Sequence, residues 1–162
     1  MSRRKNRVIF WCIFCGTLLC DQGTKFLAER HLQMQSIDFG KWLSFSLSHN
    51  TGCAWNFFQN NAFFLAILGI SISGILFWKR DFFGIYRNPA TFGLLLGGIW
   101  GNGMDRLFRG FVVDFLDVNL QIYRWPTFNV ADSSLSIAAV ILLFSSSDYK
   151  KMKKLDRKKE SE

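Results

Sequence analysis

The sequence predicts an all-α membrane protein: four transmembrane helices with a small β-sheet on the outer surface. Three observations carry this. Four apolar stretches can be drawn, each close to the roughly 20 residues a helix needs to cross a hydrocarbon core about 30 Å thick. Of the 162 residues 49% are hydrophobic and 17% aromatic, with 18 Phe and 6 Trp, which is rich for a soluble domain of this size and implies apolar surface facing lipid. The basic residues behind the net charge of +8 cluster beside the apolar stretches, where they act as topology signals and contacts for anionic lipid. The mean hydropathy of +0.12 averages apolar blocks with charged tails. The length allows one domain, 1–162.

The first stretch runs from Val8 to about Leu27, after Arg3, Arg4, Lys5 and Arg7, and holds Asp21 and Lys25 near its far end. Read as a cleaved secretory signal it lacks a small-x-small cleavage site, and Leu19 rather than a small residue precedes Cys20. An uncleaved span is the expectation. Residues 31–61 form an outer segment long enough for its own structure. Within it, Trp42-Leu43-Ser44-Phe45-Ser46-Leu47-Ser48 alternates apolar and polar with period two over its latter part, as a half-buried strand does. A small sheet there would set its aromatic faces at the membrane interface.

The second stretch, about 62–78, holds no charge. The third, about 89–107, ends in Asp105 and Arg106 and carries Gly97, Gly98 and Gly101, which let a neighbouring helix approach closely. The fourth, about 128–147, begins after Pro126 and holds one acid, Asp132, in its first turn. Both ends of the chain and the connection with Lys79, Arg80 and Arg87 are the Lys/Arg-rich parts, so they are expected in the cytoplasm, the basic tail 148–162 included. That orientation sets Asp21, Asp105, Asp114 and Asp132 together on the outer side. Cys12 and Cys15 have no second ligand pair for a zinc site, and the cysteines read as small hydrophobes. The basic clusters flank apolar spans, which argues against a nucleic-acid partner.

A carboxylate at membrane depth costs roughly 2.5–3.5 kcal/mol on insertion scales, so it is tolerated with a partner, a water-filled cavity or a function. Asp132, in a first helical turn, suits capping as well as chemistry. Asp114, between Val113 and Phe115, is poorly solvated, which favours its protonated form. Two carboxylates so placed can share a proton, one activating water while the other assists a carbonyl, and they titrate as a unit. Asp105-Arg106 reads as an ion pair or as helix-end anchors. Asp21 and Lys25 have the favourable acid-first i,i+4 order.

The blocks Asp21-Gln22-Gly23-Thr24-Lys25, Asn50-Thr51-Gly52-Cys53-Ala54-Trp55, Gly97-Gly98-Ile99-Trp100-Gly101-Asn102-Gly103-Met104-Asp105-Arg106, Val112-Val113-Asp114-Phe115 and Phe128-Asn129-Val130-Ala131-Asp132 resemble, in order and spacing, those of the bacterial lipoprotein signal peptidases, or signal peptidase II. The resemblance implies a four-helix inner-membrane aspartyl endopeptidase with an extracytoplasmic β-cradle. It would cut prolipoproteins just before a diacylglyceryl-modified cysteine. On that basis Asp114 and Asp132 match the catalytic aspartates. Asn50, Gly52, Asn102, Asp105, Arg106, Asn129 and Ala131 match positions that shape or brace the site, and Asp21 and Lys25 match the first-helix motif. Cys53, Trp55 and Ile99 depart from the alanine, phenylalanine and alanine common in the family, which bears on pocket shape rather than chemistry. The expected partners are the prolipoprotein and membrane lipid, with neither metal nor organic cofactor. A Cys53–His49 nucleophile would have to ignore both aspartates. A Mg-dependent lipid phosphotransferase and a proton-conducting subunit would also use clustered acids, but both leave the motif order unexplained.

Overall fold

The computed structural model of the chain describes residues 3–52, 59–79 and 88–159, with side chains up to residue 144. Four helices, α1 (Arg3–His31), α2 (Ala62–Trp78), α3 (Pro89–Phe108) and α4 (Val130–Lys159), alternate with three strands, β1 (Ile37–Phe39), β2 (Leu43–Asn50) and β3 (Val112–Val118). The first helix starts at Arg3 rather than Val8, so its basic residues sit on its opening turns. The last continues through most of the basic tail. Cys53, Trp55, Arg80 and Arg87 lie outside the described residues, as do the side chains of the tail.

Among the described residues no helix is long and apolar enough to cross a membrane. The most apolar, α2, has 17 residues. The arrangement of polarity is nevertheless inverted. Phe63 and Phe64 on α2, Leu19 on α1 and Leu143 and Phe144 on α4 are all more than half exposed, whereas Asp21, Lys25, Asp105 and Asn129 are at or near zero exposure. Continuous apolar exteriors of this kind mark a surface made for a non-aqueous neighbour.

The third helix is the hub: α1, α3 and α4 pack on one another and α2 packs on α3. Its glycines make the close approach possible. A Cβ at Gly93 would lie 2.9 Å from Ile13 Cβ, at Gly97 2.8 Å from Thr17 Cβ and at Gly101 2.6 Å from Asp21 Oδ2. These i,i+4 glycines therefore form one groove that receives an i,i+4 ridge of α1. Gly98 faces the other way, towards α4. Apolar packing at one end of the bundle centres on Phe10, Phe92 and Leu96. At the other, Ala28 and Leu32 of α1 pack on Val113 and Phe115 of β3.

The sheet is antiparallel in the order β1-β2-β3. Residues 31–61 thus supply two strands, and the third comes from the segment after α3. That strand is not legible from alternation, because Val112, Val113, Asp114 and Phe115 are all buried and a strand covered on both faces loses its period of two. Ser48 lies opposite Asp114 and Asn50 opposite Val112, with a bulge between Phe45 and Ser48. Beyond β3 the chain folds back, and Arg124 Nε donates to both Asp117 oxygens at 2.9 and 3.1 Å. Arg124 holds the Asp117 carboxyl below the usual carboxylate range.

The turn from α3 into β3 depends on Gly110, whose φ of +80° follows the C-cap Arg109. An L residue there is strained by roughly 1–2 kcal/mol. Gly110→Ala is expected to lower the thermal unfolding midpoint by a few degrees, with nothing near the added methyl to clash. A midpoint equal to wild type would show that this conformation is not required.

Candidate active site

Helix α4 begins with a reciprocal cap. The Asp132 N–H donates to Asn129 Oδ1 at 2.9 Å, and the Asn129 N–H returns to Asp132 Oδ2 at 3.3 Å. This is a capping box with an aspartate in the returning position, so it satisfies two backbone donors at the helix start. The Ala131 N–H donates to Asp21 Oδ1 at 2.8 Å. Asp132 therefore does cap its helix, and this leaves its other oxygen free for the site, where Oδ1 accepts from Asn102 Nδ2 at 2.7 Å.

Asp114 is 1% exposed on β3. Its Oδ1 accepts from Asn129 Nδ2 at 2.7 Å and its Oδ2 from Asn50 Nδ2 at 3.1 Å. The Gly52 N–H donates to Asn50 Oδ1 at 3.0 Å, which turns the amide nitrogen of Asn50 towards Asp114. Burial pushes the Asp114 carboxyl up to about 7, helped by the charge of Asp132 and opposed by the two amide donors. At neutral pH this group is poised between its two protonation states.

Behind the two acids lies a charged layer whose centre, Asp21, Lys25 and Asp105, is buried. Lys25 Nζ donates to Asp21 Oδ2 and Asp105 Oδ2, each at 2.8 Å, and to Asn102 Oδ1 at 3.0 Å. All three ammonium donors are used, as a buried charge requires. Asp105 Oδ1 takes Arg109 Nη1 at 2.6 Å and Gln22 Nε2 at 3.1 Å, while its Oδ2 also accepts the Val113 N–H at 3.2 Å. Arg106 Nη2 donates to the Gly52 carbonyl at 2.8 Å, tying α3 to the end of β2.

A cavity of about 470 Å³ opens beside this assembly. Asn50, Asn102, Arg106 and Asp132 make its polar side, and Leu65, Gly69, Ile99 and Leu135 of α2, α3 and α4 make its apolar side. Asp132 lies on the wall. Asp114 stands behind it, reaching the wall through Asn50.

Every residue that the sequence points to has a place in this one assembly, with Gly52 and Ala131 contributing backbone groups. Asp105 meets Lys25 from α1 and, one turn along its own helix, Arg109, an arrangement that the adjacency of Asp105 and Arg106 does not suggest. Two contributors escape sequence reasoning. Arg109 has only its i,i+4 spacing from Asp105 to betray it, and Gln22 only its place beside Asp21.

A bundle that is apolar outside, with carboxylates and amides gathered at a cavity near one end, has the features of a membrane hydrolase of the aspartic class. The family model for signal peptidase (SPase) II matches residues 13–147. A lipoprotein signal peptidase of Francisella tularensis subsp. novicida is 33% identical over 90% of this chain and 96% of its own. One from Alteromonas mediterranea is 32% identical over 86% of this chain and 81% of its own. A solved bacterial membrane enzyme, determined by the in meso method at 2.3 Å resolution, superposes with a TM-score of 0.75 at 29% identity, covering 88% of each chain. A second such enzyme, at 1.9 Å resolution, gives 0.70 at 30% identity over 85% of this chain and 90% of its own. The chain belongs to the signal peptidase II family.

Proposed function

We propose that this chain is a lipoprotein signal peptidase that cuts prolipoproteins just before a diacylglyceryl-modified cysteine, with Asp114 and Asp132 as its catalytic pair. Family membership supports the peptidase activity. The observation that carries the residue assignment is that one residue holds both acids: Asn129 gives its side-chain amide to Asp114 and its backbone N–H to Asp132. Among the described residues of the assembly Asp132 lies on the cavity wall and Asp114 stands behind it, joined to the wall through Asn50, whereas Asp21 and Asp105 spend their oxygens on Lys25, Arg109, Gln22 and backbone donors.

In the reaction, one aspartate takes a proton from water as the water oxygen bonds to the scissile carbonyl carbon. The other donates its proton to the carbonyl oxygen. Collapse of the tetrahedral species breaks the C–N bond. A proton passes to the departing amine, so the products are the signal peptide carboxyl group and a new amino terminus on the lipidated cysteine.

In this reading the four helices are short spans of the bacterial inner membrane whose polar ends reach into the interface, with both termini in the cytoplasm and the site facing outward. The exposed phenylalanines and leucines of α1, α2 and α4 support this, with the Lys and Arg bias of the connections. In that setting the sheet is the extracytoplasmic cradle, and the apolar side of the cavity receives the substrate's lipidated end.

The chemistry needs no metal, and the Lys25 ammonium occupies the centre where a cation held by Asp21 and Asp105 would sit. Purified protein incubated with a diacylglyceryl-modified precursor should release a product whose first residue, by mass spectrometry, is the modified cysteine. Turnover should be unchanged by a chelator and should fall by at least about tenfold on the unmodified precursor. Cleavage elsewhere, or equal turnover without lipid, would count against this function. Loss of activity in chelator would point to a metal-dependent enzyme instead.

A further inference from the structure

Each catalytic acid is preceded by a residue whose backbone N–H is held by a buried carboxylate. The Ala131 N–H, one residue before Asp132, donates to Asp21, and the Val113 N–H, one residue before Asp114, donates to Asp105. These two carboxylates belong to different helices, α1 and α3, and they share a single ammonium, that of Lys25. The third donor of Lys25 goes to Asn102 Oδ1. An ammonium can only donate, so this bond fixes the amide of Asn102 with its oxygen towards Lys25 and its nitrogen towards Asp132. The same logic orients Asn129, whose oxygen accepts from the Asp132 N–H and whose nitrogen serves Asp114 and Asn102.

We propose that Lys25 is a positioning residue that sets the separation of Asp114 and Asp132 and, through Asn102, keeps the negative charge on Asp132 and the proton on Asp114. This rests on the reading of those two aspartates as the catalytic pair. Asp132 lies in the first turn of α4, where the helix dipole favours an anion. It faces the cavity together with Arg106. Asp114 lies on a strand between buried Val113 and Phe115, away from any helix start and off the cavity wall, and only the neutral amides of Asn129 and Asn50 donate to it. Asp132 is then the group that takes the proton from water, and Asp114 the group that protonates the carbonyl oxygen.

The charged groups arrayed around the pair are Asp21, Lys25 and Glu29 from α1 and Asp105, Arg106 and Arg109 from α3, with Glu29 reached through Arg109. The described part of β2 brings Asn50, and that of α2 brings no charge. Removing one member of the layer therefore changes the field at the pair with a definite sign. Lys25→Met takes away a positive charge and should move the pH profile of kcat to higher pH. Asp21→Asn takes away a negative charge and should move it to lower pH, each by about one unit.

The experiment is the pH dependence of kcat and KM for the wild type, K25M and D21N on the lipidated precursor, with folding checked by thermal unfolding in the same detergent. Opposite shifts with KM changed less than about twofold are expected, since substrate binding is left in place. A loss of activity that leaves both profiles where they were, or moves them in the same direction, would overturn the proposal, because a purely structural role has no sign. If K25M does not fold, D21N decides alone: a shift to lower pH supports the role, and an unmoved profile ends it. Activity retained in D114N and D132N would instead defeat the assignment of the catalytic pair.

Discussion

Asp132→Asn and Asp114→Asn are each expected to reduce cleavage of a lipidated precursor by roughly a thousandfold or more, because general acid–base assistance in such sites contributes about 10²–10⁴-fold and neither amide can move a proton. The fold should survive both changes. An amide at position 132 can still present an oxygen to the Asn129 N–H, so the cap persists in part, and its nitrogen meets Asn102 Nδ2, now donor against donor. An amide at position 114 keeps the shape of the acid while setting its nitrogen against Asn129 or Asn50. Each variant loses one good hydrogen bond, for a cost of about 1–2 kcal/mol. Turnover assays paired with thermal unfolding check this. Activity within tenfold of wild type in either variant would remove that aspartate from the chemistry.

A second large effect belongs to a residue with no side chain. A Cβ on Gly98 would lie 2.7 Å from the Ala131 carbonyl oxygen, 2.7 Å from Leu135 Cγ and 2.8 Å from Ser134 Oγ. Two of these atoms belong to the turn that carries Asp132, and the nearest backbone atom cannot rotate aside. Gly98→Ala must push α4 away from α3. Overpacking of this kind costs about 1–3 kcal/mol, and a displacement near 1 Å at the reacting groups costs about a hundredfold in rate. Gly74→Ala on α2 is the control, since an added methyl there meets nothing within 4 Å. It should leave turnover unchanged and gain up to about 1 kcal/mol from helix propensity. Equal behaviour of the two variants would show that the contact between α3 and α4 does not set the position of Asp132.

Much of this was readable in the sequence. The apolar stretches locate the helices because a long uncharged run leaves little choice, and the strand alternation near Phe45 marks β2. The acids stand out because charges are rare in such surroundings. What remained hidden has physical causes. Val112–Val118 is buried on both sides, so its pattern gives no sign of a strand. The capping box at Asn129 uses aspartate where glutamate or glutamine is the common signal. The tie between Lys25 and Asp105 joins residues from separate helices, and no local spacing records it. The choice of Asp114 and Asp132 over Asp21 and Asp105 came from family resemblance. The structure adds a reason, since the latter two are consumed by Lys25, Arg109, Gln22 and backbone donors.

The inverted polarity of the bundle reverses the usual map of mutational tolerance. In a water-soluble enzyme the outer positions are where variation accumulates, because water accepts nearly any side chain. In the membrane setting proposed above, Phe63, Leu68, Leu143 and their neighbours on the outside meet hydrocarbon, which refuses charge at any of them. The exterior is therefore free to vary in shape but not in polarity. Freedom to change polarity is left to the ends of the helices and the outer turns, and natural variants with new charges should be sought there.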